Sequence, residues 1–299
     1  MSDLLGGIEA GGTKFVCAIG DGDGRLIRRT QVATAEPEAT LAACAAWFTQ
    51  AQRELGARIA ALGIGSFGPV DLAAQRITTT PKPGWRDVAL GGRLGEALGV
   101  PVAFDTDVNA AALGEARWGA GRGCDPLVYV TIGTGIGGGV RVHGALLHGA
   151  LHPELGHILL AREPGDDFPG ACPYHGACWE GLCAGLAIAR RTGQAAEALA
   201  AHDPAWGLTA RYIAQALYAV VCMVSPARII LGGSVAKGGR LGQAALFAQV
   251  RAALVELANG YLAIPQLATP ERYIVAPGLG DDAGVIGALA LAAAVINGR

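Results

Sequence analysis

Two stretches of this chain, far apart in sequence, repeat one design of strand, glycine-rich turn and strand. The first runs LLGGIEA, GGT, KFVCAIG from Leu4, and the second is PLVYVTIGTGIGGGVRVHGALL from Pro126, with Ile8 and Gly11 corresponding to Ile132 and Gly135. A hairpin that recurs in this way implies a duplicated domain. The length of 299 residues agrees, since two domains is the fair expectation for a chain of this size. With 52% hydrophobic and 16% charged residues there is ample material for large cores.

The rest of the chain reads as alternating strands and helices. DGDG at 21–24 turns the second strand into a third, RLIRRTQVA; a calcium loop is disfavoured because no glutamate closes it. Residues 36–56 carry Leu41, Trp47, Phe48 and Leu55 among alanines and predict a helix, and IAALGIGSFG predicts a buried strand. The short strand VPVAFDTD delivers Asp105 and Asp107 to the start of the helix VNAAALGEARW, the usual place for chemistry in α/β folds. Beyond residue 180 come helices, the strand ARIILGG, a helix around Leu241 to Leu257, the strand RYIVAP and an alanine-rich terminal helix.

GTGIGG at 133–138 matches the dinucleotide fingerprint GxGxxG, but that fingerprint needs a helix to follow, and GVRVHG alternates like a strand. The two glycine hairpins and LGGS at 231–234 are instead three turns at strand ends where backbone N–H groups can face phosphate oxygens or a nucleoside. Residues 151–180 form a long excursion rich in Pro, Gly, His and Cys, a length that is usually functional. Within it CPYHGACWE spaces Cys172, His175 and Cys178 as CxxHxxC, three ligands of a tetrahedral zinc site that needs a fourth. His157 and His152 both precede it. A redox reading lacks the CxxC motif, and Cys183 is a spare thiol.

Taken in order, these pieces resemble the ROK family of sugar kinases within the actin-like ATPase superfamily. GIEAGGTK looks like its first phosphate motif, VAFDTDVNAAALGE its first connecting segment, and VTIGTGIGGGV its second phosphate motif. HPELGH with CPYHGACWEG looks like its sugar and zinc segment, ILGGSV its adenosine motif, and GLGDDAGVIGA its second connecting segment. The resemblance implies an α/β fold of two actin-like, ribonuclease H-like lobes, each a mixed sheet flanked by helices. The expected lobes are 1–118 with a terminal helix 284–299 crossing back, and 119–283 with the zinc segment 151–180.

It also implies roles. Asp107 becomes the general base on a sugar hydroxyl, with an N-cap of the following helix as the plainer alternative and Asn109 a weaker candidate. Lys82, Thr106, Glu154, His157 and Glu180 become sugar ligands. Glu9 would hold Mg²⁺ through water, while Gly11, Gly12, Thr13, Lys14, Thr131, Gly133, Thr134 and Gly135 cradle the phosphates of ATP and Gly232 and Gly233 face its adenosine. His157, Cys172, His175 and Cys178 become the zinc ligands, with His152 a competitor for the fourth place. Glu9, Lys82 and Thr106 depart from the glucokinase pattern, and EAGGTK, TPKPGW, DTDVN and HPE are similar to the bacterial fructokinase branch. ATP-dependent phosphorylation of a hexose, fructose first with glucose or mannose as alternatives, is therefore the expected activity. A sugar-sensing protein without turnover is the rival.

The expected partners are small molecules, a hexose and a nucleotide, and by resemblance a second copy of the chain. A net charge of −2 offers no footprint for nucleic acid, and no helix-turn-helix precedes the first motif. The apolar runs LALAAAVING and YAVVCMVS fall short of a bilayer span, no leader pattern follows Met1, and the odd number of seven cysteines, with Cys17, Cys44 and Cys222 inside apolar runs, argues against a disulfide framework. The expected compartment is the cytoplasm.

Overall fold

The structure, a computed structural model, describes residues 3–296 and Gly298. The chain divides into two compact units, the first made of Met1–Arg122, Leu146–His152 and Gly278–Arg299, the second of Gly123–Ala145 and Pro153–Pro277.

In the first unit, β1 (Leu4–Ala10) and β2 (Lys14–Gly20) form the expected antiparallel hairpin, and β3 (Leu26–Ala33) pairs with β2. The DGDG segment is a plain turn: Asp21 Oδ1 accepts from the backbone N–H of Asp23 and of Arg25, both at 3.0 Å. Helix α1 (Pro37–Leu55) starts with proline at its first turn and stops at Gly56, whose φ of 62° is the left-handed conformation that closes helices. Strand β4 (Ile59–Ser66) then lies parallel to β1, followed by the small pair β5 (Val70–Asp71) and β6 (Arg76–Ile77), helix α2 (Leu90–Leu98), and β7 (Val102–Thr106), parallel to β4. The sheet order is β3-β2-β1-β4-β7. Ile8, Phe15, Phe48, Leu62, Ile64 and Trp85 fill one face.

The other face of this sheet is covered by α3 (Asp107–Trp118) and by the C-terminal helix Ala283–Ile296. The packing is backbone against backbone. A Cβ on Gly287 would fall 1.8 Å from Ala110 O, and one on Gly63 would fall 1.8 Å from Ala288 O. Small residues let the elements approach this closely, which accounts for the Ala/Gly-rich C-terminus without any membrane.

The second unit repeats the plan. Strands β8 (Leu127–Ile132) and β9 (Ile136–Val142) form the antiparallel hairpin, β10 is the edge pair Ala145–Leu146, and β11 (Arg228–Gly232) and β12 (Ile274–Val275) run parallel, in the order β10-β9-β8-β11-β12. Position for position this is the connectivity of the first sheet. Helices α4 (Trp179–Cys183), α5 (Gly185–Thr192), α6 (Pro204–Val224) and α7 (Gln243–Ala258) complete the unit. A strand, not a helix, follows Gly138, as its alternation predicts.

Four details differ from the sequence reading. The segment 146–152 groups with the first unit although its neighbours on both sides belong to the second, and the first crossover falls after Arg122 rather than near 118. YAVVCMVS is continuous with a helix of 21 residues, Pro204–Val224, long and apolar enough by those measures to cross a bilayer. Trp206, Ile213, Leu217 and Val220 of that helix are buried in the core of the second unit, so packing explains its hydropathy. Cys222, which the pattern places among apolar residues, is exposed.

Candidate functional site

At the end of β7 the chain turns directly into α3. Thr106 is the N-cap, its hydroxyl accepting from Asn109 N at 3.1 Å. Asp107 is therefore the first residue of the helix, and its Oδ1 accepts from Val108 N at 2.9 Å. A carboxylate in the first turn of a helix has its charge stabilised by the unpaired N–H groups there. The backbone here is held closely, because a Cβ on Gly65 of β4 would lie 3.1 Å from Asp107 Cα and 2.7 Å from Ala110 Cβ.

In the first hairpin, Gly11 N donates to Lys14 O at 3.0 Å, so this N–H closes the turn. Gly12 differs. A Cβ there would meet nothing within 4 Å and its φ is not left-handed, so neither packing nor conformation requires glycine. Close approach of a ligand would. Glu9 projects from β1 beneath the start of the C-terminal helix, where a Cβ on Gly284 would lie 2.4 Å from Glu9 Cδ. Desolvation raises its carboxyl to about 7; Asp282 and Asp281 add to the rise, and Lys14 and Arg29 oppose it. Carboxylate oxygen is the donor type a hard divalent cation prefers, and Asp282 is itself paired with Arg29 at 3.0 Å. Lys82 reaches back to the end of β3, donating from Nζ to Thr34 O at 3.4 Å, and Trp85 Nε1 fixes the same loop on Ala35 O at 2.9 Å.

The second hairpin carries a carboxylate of its own. Ile136 N donates to Glu180 Oε2 at 2.9 Å, and a Cβ on Gly135 would fall 2.6 Å from the same oxygen. Gly133 N is used within the turn, donating to Gly135 O at 2.9 Å, while Gly133 O accepts from Gly185 N at 2.7 Å. Thr134 is exposed at the tip, and Thr131 lies in β8 between Gly137 and Gly232. The glycine run of β9 has a packing cause that the sequence does not reveal. The turn Leu155–His157 lies on that strand, where a Cβ on Gly138 would fall 2.3 Å from Leu155 Cδ1, and one on Gly156 would fall 2.0 Å from Ile136 O. Gly233 likewise has a left-handed φ of 93°, and a Cβ on Gly232 would crowd Tyr129 OH at 2.6 Å.

The turn 155–157 brings the excursion together. His157, Cys172, His175 and Cys178 present ligand atoms all within 4.8 Å of one another. His157 Nδ1 is 3.6 Å from Cys178 Sγ and 3.8 Å from Cys172 Sγ, and His175 Nδ1 is 3.7 Å from Cys172 Sγ. Tetrahedral zinc with bonds of about 2.3 Å to sulfur and about 2.05 Å to nitrogen separates such ligands by about 3.6 Å, so these residues fit the metal. A knuckle shapes the loop: Cys172 and Gly176 exchange backbone hydrogen bonds of 3.3 and 3.0 Å, and Gly176 is left-handed at φ 58°. Burial pushes the Cys178 thiol up to about 11 in the absence of metal. His152 is not in the cluster; it is buried in the first unit, its Nε2 accepting from Val70 N at 3.1 Å.

Glu154 stands just before the turn and Glu180 just after the knuckle, on α4. Desolvation, then the charge of Glu180, raises the Glu154 carboxyl to about 7. At neutral pH such a group is divided between donor and acceptor forms, which suits hydroxyl recognition. Two residues of consequence lie outside the sequence reading. His148 contacts the buried Asp105 carboxylate at 2.9 Å, and Glu115, fully buried, accepts from Ala120 N, Gly278 N and Leu279 N. His148 lies in no quoted motif, and Glu115 closes VAFDTDVNAAALGE without anything in the spacing to mark its role.

The model of the ROK family matches residues 5–295. This chain belongs to the ROK family. Among its relatives, the fructokinase of Zymomonas mobilis is 43% identical over 302 aligned residues, covering 98% of each chain. Among solved structures, the ROK hexokinase from Thermus thermophilus superposes with a TM-score of 0.83 at 31% identity, covering 99% of this chain and 100% of that one. The ROK family glucokinase from Streptomyces griseus, solved with glucose and AMPPNP, gives 0.76 at 28% identity, covering 97% and 99%. The duplicated α/β plan described above is thus a ROK fold.

Proposed function

We propose that this protein is an ATP-dependent hexose kinase that phosphorylates fructose to fructose 6-phosphate, with Asp107 as general base. The observation that carries the reading is the start of α3. Thr106 occupies the N-cap, and Asp107 sits beside it in the first turn, where its carboxylate is supported by Val108 N. In the reaction the sugar hydroxyl gives its proton to the Asp107 carboxylate as its oxygen bonds to the γ-phosphorus and the bond from that phosphorus to the ADP oxygen breaks. The turns at Gly11–Lys14 and Gly133–Gly135 receive the phosphates, with Thr131 below the second, and Gly232 and Gly233 the adenosine. Magnesium, when bound near Glu9, neutralises phosphate charge.

The hexose is recognised by Lys82, Thr106, Glu154, Glu180 and Nε2 of His157, whose Nδ1 faces the thiols. His157, Cys172, His175 and Cys178 would hold zinc, which would supply a structural tie between the turn 155–157 and α4, the two elements that carry Glu154 and Glu180. Fructose is favoured over glucose by Lys82 and Thr106 in place of amides, and by the greater identity to a fructokinase than to the glucokinase and hexokinase structures. The test is Asp107→Asn. Loss of a general base lowers kcat by about 10² to 10⁴ with hexose affinity within about threefold; near-normal turnover would assign the base elsewhere.

A further inference from the structure

We infer that His148 is a positioning residue for the phosphoryl-transfer base, acting through Asp105; the inference rests on the kinase reading above. Asp105 is 4% exposed at the end of β7, two residues before Asp107. Its Oδ1 accepts from Thr106 N at 2.7 Å and from Asn109 Nδ2 at 2.8 Å. Its Oδ2 meets His148 Nε2 at 2.9 Å. These contacts bracket Asp107 from both sides: Thr106 precedes it, Asn109 follows it within the first turn of α3, and one buried carboxylate binds both.

The proton on His148 is set by the same geometry. Nε2 lies 3.3 Å from Asn109 Nδ2 as well as 2.9 Å from Asp105 Oδ2. It cannot accept from the amide while donating to the carboxylate, and the shorter, charge-assisted contact places the hydrogen on Nε2. His148 is therefore the donor that satisfies the second oxygen of a buried carboxylate, a group costly to leave unpaired. The histidine itself has 34% of its side chain exposed, so it contributes little to the core. The segment 146–152 that carries it is tied to the same unit at its far end by His152 accepting from Val70 N at 3.1 Å. Nothing in core packing requires histidine at 148; the carboxylate does.

The experiment is steady-state kinetics on the full chain with fructose and ATP for wild type, His148→Ala and His148→Gln, with melting temperatures measured alongside. Displacement of a reacting group by a fraction of an ångström to 1 Å costs up to about 10²-fold in rate, so His148→Ala is expected to lower kcat about tenfold or more with the fructose KM within about threefold. Glutamine carries an N–H donor, so His148→Gln is expected to recover at least half of the lost activation free energy, about threefold in kcat. Equal kcat for wild type and His148→Ala overturns the inference, as does an equal loss in both variants. If His148→Ala does not fold, His148→Gln at wild-type kcat supports the donor role and a tenfold loss in it refutes that role. Absence of hexose-dependent ADP release by wild type overturns the kinase reading, and this inference with it.

Discussion

Removing one ligand of the Cys/His cluster is expected to do two things at once. In Cys172→Ser the sulfur that lies 3.8 Å from His157 Nδ1 and 3.7 Å from His175 Nδ1 is replaced by a poor zinc ligand. Complete sites of this kind bind zinc with about 10–16 kcal/mol, and loss of one thiolate reduces this enough for metal to dissociate during purification. The turn 155–157 and the knuckle 172–178 are also joined by the bridge of Leu159 with Cys178, by Trp179 N donating to Ile158 O at 2.9 Å, and by Leu155 packing in one core with Trp179 and Leu182. Glu154 is three residues before His157 and Glu180 two after Cys178, so both carboxylates lose their common anchor. Outer-shell and support changes of this type typically cost 10- to 100-fold. The assay is metal content by mass spectrometry together with the fructose KM. Zinc near one per chain in the wild type, below about a tenth in the variant, and a KM raised about tenfold or more are expected. A variant that lacks zinc and keeps the wild-type KM would refute the link between clip and sugar ligands.

Glu9 gives a pH signature. Its carboxyl is raised from 4.5 to about 7, so the folded state holds the proton more tightly than the unfolded state. Its favourable contribution is complete below pH 4.5 and is lost as pH rises through 7, amounting to about 3 kcal/mol at most. Glu9→Gln removes that loss: in magnesium-free denaturant titrations its stability relative to wild type should climb between pH 4.5 and 7.5, and a pH-independent difference would contradict the assignment. Gly287→Ala places a methyl group 1.8 Å from Ala110 O, a backbone atom that cannot move cheaply. It should destabilise by about 1–3 kcal/mol or more in the same titrations, and a neutral effect would show that the helix contact is looser than described.

Much of this arrangement is legible in the sequence because the hairpin is written twice. Period-two alternation after Gly138 distinguishes a strand from the helix that a dinucleotide site needs, and β9 is that strand. CxxHxxC identifies three members of the metal cluster, while the choice of His157 over His152 depends on where two loops land, which spacing does not encode. The glycines carry mixed causes: Gly138, Gly232 and Gly233 have packing or left-handed φ to explain them, whereas Gly12 meets nothing within 4 Å and Gly133 makes only ordinary contacts with Ser234. His148 and Glu115 escape sequence reading because their partners are backbone or buried groups brought close by the tertiary fold. The segment 146–152 escapes for the same reason: its His148 and His152 meet Asp105 and Val70 N of the first unit only in the folded chain.

The central claim is hexose phosphorylation with fructose preferred. The direct measurement is ADP release with ATP over a panel of fructose, glucose, mannose and galactose, with the phosphorylated carbon of each product assigned by phosphorus NMR. The highest kcat/KM is expected for fructose, with a 6-phosphate product. ADP release with none of the four sugars would contradict it, and a clear preference for glucose or mannose would overturn the roles given to Lys82 and Thr106.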